Sequence, residues 1–389
     1  MNAPRCNELD YIDFLLAAQR AFSCVEAARS GPIVPEEPGT AHDAYTRLLT
    51  RRPLDTEALW HEAKTVLPTD WQQGGLILLD DSTLDKPYAR KMELVTRHWS
   101  GKHRRVVSGI NLLSLVWTPG SRLSITSTLN HAPAGFSVTP AVVPCDFRVY
   151  EARPDEIKPD ETKPDETKPD EAKPDETKPD ETKPDEASVH QTKNEHFRQM
   201  LLTAKRRGFS PNYVGFDSWY SSLENLKLLR ALDYRFITRL KGNRLVNPDK
   251  QAQVAVSTLR VPAEGALVHL KGFGMIRLFQ TVAQDGDVGH WVTDELTMTT
   301  ETWQELSSCC WRIEQYHRGL KQCCGVERAQ VRSAVGQKNH LLLCLRAFLR
   351  LEVNRLRSGQ SWYEAKLAVV REAIRAFRAQ PRYLLIPAA

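Results

Sequence analysis

An α/β architecture, a mixed sheet flanked by helices, is what the sequence predicts, and three observations predict it. The run LILLDDS at residues 76–82 is oily enough for a buried strand and ends in two adjacent carboxylates, Asp80 and Asp81. Between residues 192 and 245, capped helical segments alternate with short strand-like runs, the pattern of a sheet with helical crossovers. From 246 to 299 the alternation becomes that of antiparallel β structure.

Residues 1–70 read as helical pieces, DYIDFLLAAQRAF and DTEALWHEAKTVL, broken by a proline-rich link from Pro32 to Pro38. After LILLDDS come RRVVSGINLLSLVW (104–117) and VVPCDFRVYE (142–151), strand-like by their β-branched and aromatic content. From Arg153 a five-residue unit recurs seven times: RPDEI, KPDET, KPDET, KPDEA, KPDET, KPDET, KPDEA. A proline every fifth residue forbids a regular helix and starves a sheet ladder of donors. With almost no apolar residues to bury, such a segment cannot offset its ordering entropy. It is expected to be an extended surface insertion spanning about 151–190, with an acidic DNA mimic as the alternative.

Thr192-x-x-Glu195 is a capping box opening a helix with Phe197, Met200, Leu201 and Ala204 on one face and Gly208 at its stop. YVGFDSWY then reads as a strand, Ser221-x-x-Glu224 as a second capping box, and YRFITRLKGNR as another strand. In 246–299, ALVHLKGFGMIRLFQTVA leads through an Asp285-Gly286 hairpin turn into HWVTDELTM, a β-rich insertion. Gly272 and Gly274 make no dinucleotide fingerprint, because no third glycine and no helix follow. From about Thr302 the chain is expected to be helical nearly to its end.

Composition is that of a globular protein, and no apolar run approaches the roughly 20 residues that span a bilayer. The start, MNAPRCNELDYIDF, has no basic-then-apolar leader pattern, so the expectation is a cytoplasmic protein with reduced cysteines and no membrane partner. The net charge of +5 is uneven: residues 153–187 carry seven Lys/Arg against fourteen Asp/Glu, whereas Trp311 onward carries fifteen against five. That basic final stretch suggests a polyanionic partner, a solvated helical surface being the plainer alternative.

Three acids stand out by context: Asp81 with Asp80 beside it, Asp217 ending YVGFD, and Glu314 within a helix. Strand carboxyl ends of open α/β sheets are where ligands gather. Like charges that converge repel unless a cation lies between them, and hard oxygen donors suit Mg²⁺ or Mn²⁺. Taken singly, each aspartate could simply cap a turn. Glu314, Arg318 and Lys321 share one helical face, suited to gripping phosphate or merely forming a surface ion pair. Adjacent strand residues point to opposite faces, so only one of the pair Asp80/Asp81 can join such a cage. Vicinal Cys309/Cys310 and Cys323/Cys324 lack the gap that lets two sulfurs reach one zinc ion.

The blocks LLDDSTLDKPYARKMELVTRHWSGKHRRVVSGINLL, GFDSWYSSLENLK and WRIEQYHRGLKQCCGVERAQVR resemble bacterial insertion-sequence transposases of the DDE superfamily. More narrowly they resemble the branch with a Tyr-Arg-Glu-Lys signature, over about residues 70 to 380. The resemblance implies an RNase H-like core, DNA cutting and joining with two Mg²⁺ (or Mn²⁺) ions, and a homodimer on DNA. Carried over, the metal-holding catalytic acids are Asp81, Asp217 and Glu314, with Asp80 as neighbour, and the signature lysine is Lys321. Ser307 and Cys310 stand where the signature has Tyr and Arg, leaving the phosphate grip to Arg312 or Arg318, or weaker. Further DNA contacts are expected from Lys102, Arg104 and Arg105, and from Arg239, Lys241 and Arg244. Trp291 is a base-stacking candidate in the insertion, a buried sheet tryptophan being the alternative. The domain reading is 1–70 for recognition of terminal inverted repeats, 71–245 and 300–389 for the core, and 246–299 for the insertion.

Overall fold

The computed structural model describes residues 6–32, 39–66, 70–100, 105–120, 140–151, 191–283 and 286–381. The seven-unit repeat, Lys102, Arg104 and Asp285 lie outside them. The central strand is β1 (Leu76–Asp85), whose first four residues are all buried. Removing such side chains from water contributes about 1.5–3 kcal/mol apiece. The strand runs through the two acids to Asp85, so they sit within it rather than at its tip.

β2 (Thr96–Ser100), β3 (Arg105–Thr118) and β4 (Val143–Tyr150) follow. β1 pairs antiparallel with β3 from Leu76↔Thr118 to Asp85↔Gly109, and β3, long enough for both, takes β2 and β4 on its other edge. Helix α5 (Lys193–Arg206) then crosses to β5 (Tyr213–Phe216), which lies parallel to β1, and α6 (Leu223–Ala231) crosses to β6 (Phe236–Leu240), parallel to β5. Strands β4, β3, β1, β5 and β6 thus form the mixed, RNase H-like sheet that the resemblance implies.

Both crossover helices have the expected kind of start. Thr192 and Glu195 close a full capping box on α5. The second cap falls one residue later than the sequence suggests. Ser222 accepts from the Asn225 N–H, because the Ser221 hydroxyl is used to donate to the Ser218 carbonyl at 2.7 Å.

The segment 246–299 is antiparallel, as its alternation predicts, but it does not stand apart from the core. After a small ladder of β7 (Leu245–Val246) and β8 (Val254–Ala255), β9 (Ala266–Leu270), β10 (Gly274–Val282) and β11 (Val288–Thr293) fold as a meander. β11 pairs with β6 from His290↔Leu240 to Thr293↔Ile237, so the expected insertion lengthens the central sheet.

α1 (Glu8–Ala17), α2 (Cys24–Arg29), α3 (His42–Thr50) and α4 (Glu57–Val66) precede the sheet, and among the described residues four helices follow it. These are α7 (Thr300–Cys310), α8 (Arg312–Cys323), α9 (Ala334–Ser358) and α10 (Trp362–Ala379). α9 is buried along most of its length, and α1, α3 and α4 pack on it. Polar ties fix the seam: Tyr11 meets His340 at 3.1 Å, and Arg346 bonds both Glu8 and Glu62. The early helices therefore share one hydrophobic core with the sheet. Among the described residues no helix is long and apolar enough to cross a membrane.

Candidate active site

The register of the central strands decides which acids meet. Leu79 of β1 lies opposite Phe216 of β5, and the two strands are parallel. One residue further along each, Asp80 comes abreast of Asp217. Side chains abreast on neighbouring strands share a face. Asp80 and Asp217 accordingly line one cleft of about 330 Å³, together with Glu314, Arg239, Trp291 and Cys310.

Glu314 is delivered by α8. Ile313, Tyr316, Leu320 and Cys323 form its buried stripe, which leaves Glu314 and Arg318 on the exposed side. Tyr316 meets Phe348 of α9 edge-on, with ring centroids 5.0 Å apart. Gly319 allows α8 to come close: a Cβ there would lie 2.7 Å from Trp362 and 2.9 Å from Phe348.

The sequence expectation put Asp81, not Asp80, with the other two acids, and the geometry reverses it. Asp81 faces the opposite side of the sheet. Its carboxylate accepts from the Tyr220 hydroxyl at 2.6 Å, from Asn111 Nδ2 at 2.7 Å and from Lys193 Nζ at 2.9 Å. Alternation along a strand shows that only one of two neighbours can enter the cleft. Which one is set by the pairing with β5.

The two carboxyls also differ electrostatically. Burial pushes Asp80 well above the usual carboxylate range, and the charges of Asp81, Glu314 and Asp217 push the same way. Burial also opposes ionisation of Asp81, but the Lys193 charge and the three hydrogen bonds outweigh it and hold Asp81 below its ordinary value. Glu314 is raised by burial and by Asp217, against the pull of Lys321 and Arg318. His317 lies 3.8 Å from Asp80, but burial lowers its pKa to about 3, so the two do not form an ion pair.

Among the described residues no three His, Cys, Asp or Glu side chains form a ready-made metal cluster. The donor chemistry of the cleft nonetheless fits a hard divalent cation. It offers three carboxylates, and burial pushes the Cys310 thiol up to about 12, so no thiolate competes. A cation there would favour the charged forms that crowding now disfavours.

The cations are distributed differently from expectation. Arg239 lines the cleft, its guanidinium 5.3 Å from the centroid of half-buried Trp291. Lys241 lies 5.1 Å from the ring of Trp219, and the Arg244 backbone N–H closes a turn onto the Lys241 carbonyl. Lys321 donates to the Thr83 carbonyl at 2.8 Å and pairs with Glu327 at 3.0 Å. Arg312 braces the end of β3 by donating to Thr118 Oγ1 at 2.7 Å, whereas Arg318 is exposed. Arg105 is exposed at the start of β3 and is not part of the cleft lining.

Cys310 has a packing role that the sequence does not announce. A Cβ on Gly215 of β5 would lie 2.8 Å from its sulfur, so the small thiol fills the space over a bare backbone. Ser307 bonds back to the Gln304 carbonyl. Sequence reasoning also missed Lys193, Tyr220 and Asn111, which reach Asp81 from three distant segments. It missed as well a basic cleft of about 730 Å³ lined in part by Arg90, Lys91, Arg328 and Arg332.

In comparisons with known proteins, a family model described as "DDE superfamily endonuclease" matches residues 5–307. That stretch includes Asp80, Asp81 and Asp217 and stops short of Glu314. No curated protein matches the chain.

Proposed function

The chain belongs to the DDE superfamily of endonucleases, whose substrate is DNA, and from that premise we propose that it is a transposase. In this reading it hydrolyses the 3′ strand ends of an insertion sequence and joins each 3′-OH to target DNA. The observation that supports the proposal is that Asp80, the residue after Leu79 of β1, and Asp217, the residue after Phe216 of β5, line one cleft with Glu314. Asp80, rather than Asp81, is then the first acid.

Asp80, Asp217 and Glu314 would hold two Mg²⁺ or Mn²⁺ ions. When bound, these would supply an activated water and charge stabilisation for the leaving oxygen of a phosphodiester. The rest of the chemistry falls to the chain. Arg239 and Arg318, beside the acids and free of carboxylate partners among the ion pairs described, suit non-bridging phosphate oxygens. Lys321 would reach phosphate only by exchanging Glu327 for it. The Asp81 cluster holds the β1 backbone from behind, so that Asp80 is presented rather than free to retreat.

A second reading, a DNA-binding relative that cuts poorly or not at all, is favoured by Ser307 and Cys310, which supply neither the phenol nor the guanidinium of the two signature positions. A third is a nuclease that cuts without joining. One assay separates them: labelled linear element ends, a target plasmid and Mg²⁺, resolved for uncut, nicked and joined products. Joined product from the wild type, abolished by EDTA and by Asp217→Ala with end binding intact, is expected. Cutting by Asp217→Ala would overturn the assignment.

A further inference from the structure

Two residues beyond Asp217, Trp219 stands in water with 56% of its surface exposed. Its turn is not loose. The Tyr220 N–H bonds the Asp217 carbonyl at 3.0 Å, and the Ser221 hydroxyl bonds the Ser218 carbonyl at 2.7 Å. Tyr220 is buried, stacks on Phe197 at 5.1 Å and donates to Asp81. Asn225 Nδ2 clamps the Tyr220 carbonyl at 2.9 Å. With Tyr220 fixed inward, Trp219 is held outward. An indole fixed in water forgoes burial that a polar residue would not have needed.

Its neighbours are cations. Lys241 Nζ lies 5.1 Å and Lys193 Nζ 6.0 Å from the ring, and two residues before Lys241 comes Arg239, which lines the acidic cleft. Arg239 and Lys241 therefore lead from the cleft to the exposed Trp219, while Lys193 is held by its ion pair with Asp81 at 2.9 Å. Backbone-tracking cations beside an open aromatic ring are what single-stranded nucleic acid requires, since each base offers a π-face and each phosphate a charge. A base within a duplex has its faces covered by its neighbours, so the ring can serve only one that has left the stack.

We propose that Trp219, with Lys241 beside it, is a stacking platform for an unpaired base next to the phosphodiester that enters the Asp80–Asp217–Glu314 cleft. The proposal rests on the DNA-cutting reading for its geometry but not for its test. The full chain, in EDTA so that no chemistry occurs, is titrated with a fluorescein-labelled single-stranded oligonucleotide and with the same sequence as a duplex. Trp219→Ala is expected to weaken single-strand binding about tenfold, with duplex binding nearly unchanged. Trp219→Phe, which keeps an aromatic face, is expected to restore most of the loss. Lys241→Gln is expected to flatten the salt dependence of single-strand binding by about 0.7 in log–log slope.

Equal losses on single strand and duplex, no loss on either, or a wild type that ignores single strands would each overturn the platform. If the wild type fails to cut DNA yet keeps a Trp219-dependent preference for single strands, the platform stands while the transposase reading falls. If it cuts but Trp219→Ala binds normally, only the platform falls.

Discussion

The two sides of β1 at residues 80 and 81 carry the same functional group in opposite circumstances. On one side Asp81 has three donors within 2.9 Å, one of them a cation, and is held ionised. On the other, Asp80 faces two further carboxylates across a cleft, with a neutral histidine at 3.8 Å. Buried polar groups are normally satisfied, and a folded protein has no structural reason to leave one crowded by like charge. The saturated acid is thus the structural one. In the proposed function the frustrated acid is the one retained for chemistry, at a cost in stability that its neighbour helps to offset.

The largest expected effect separates the two sides by activity. Asp80→Asn, Asp217→Asn and Glu314→Gln should each lower metal-dependent cleavage by at least about a thousandfold, the scale of several kcal/mol of transition-state stabilisation. Thermal unfolding in EDTA should show all three as stable as the wild type or more so, since each removes one of three carboxyls crowded into one cleft. If Asp81→Asn lost as much activity with an unchanged melting temperature, the roles assigned to the two aspartates would have to be exchanged.

Next in size is the stability of the saturated side. Asp81→Asn leaves Lys193 without its anion and turns one hydrogen-bond acceptor position into a donor. Removing one partner of a fully buried pair costs about 3–5 kcal/mol. Both side chains here keep roughly a fifth of their exposure, so about 2–3 kcal/mol is expected from urea unfolding. Tyr220→Phe, which deletes one bond to a charged acceptor and keeps the ring on Phe197, should cost less, about 1.5 kcal/mol. A Tyr220→Phe loss larger than that of Asp81→Asn would mean that the tyrosine serves the turn rather than the carboxylate.

Which parts of this were legible in sequence follows from how local each determinant is. The Thr192 cap needs only Thr192 and Glu195, three residues apart, and is found as expected. The Ser222 cap is displaced by one because Ser221 is claimed by the turn after Asp217, a competition that the motif does not reveal. The helical face of Glu314 and Arg318 follows from 3.6-residue periodicity. The choice between Asp80 and Asp81 does not, because a two-residue period has no phase until a partner strand supplies one, and β5 lies more than a hundred residues away. For the same reason the meander at 246–299 could be recognised as antiparallel from its own alternation, while its attachment through β11 to β6 could not.

The smallest expected effect tests the comparison most sharply, because the two aspartates should titrate in opposite senses. Asp81 has a lowered pKa when folded, so the unfolded chain binds its proton more readily. Its stabilisation is complete above the ordinary carboxylate range and is lost as pH falls through and below that range. Asp80 has a raised pKa when folded, so its penalty is absent below the ordinary range and grows as pH rises towards the folded value. Stability measured in EDTA from neutral to acid pH should therefore show the wild type and Asp81→Asn converging as pH falls, from a starting gap in which the variant is weaker. Wild type and Asp80→Asn should converge as well, from a gap of the other sign. Each neutral-pH gap reports how the fold disfavours or favours ionisation of its carboxyl, and both should vanish once the acids are protonated in folded and unfolded chain alike. A gap of the same sign for both variants would mean that the two carboxyls share one environment, and the division of labour across β1 would be lost.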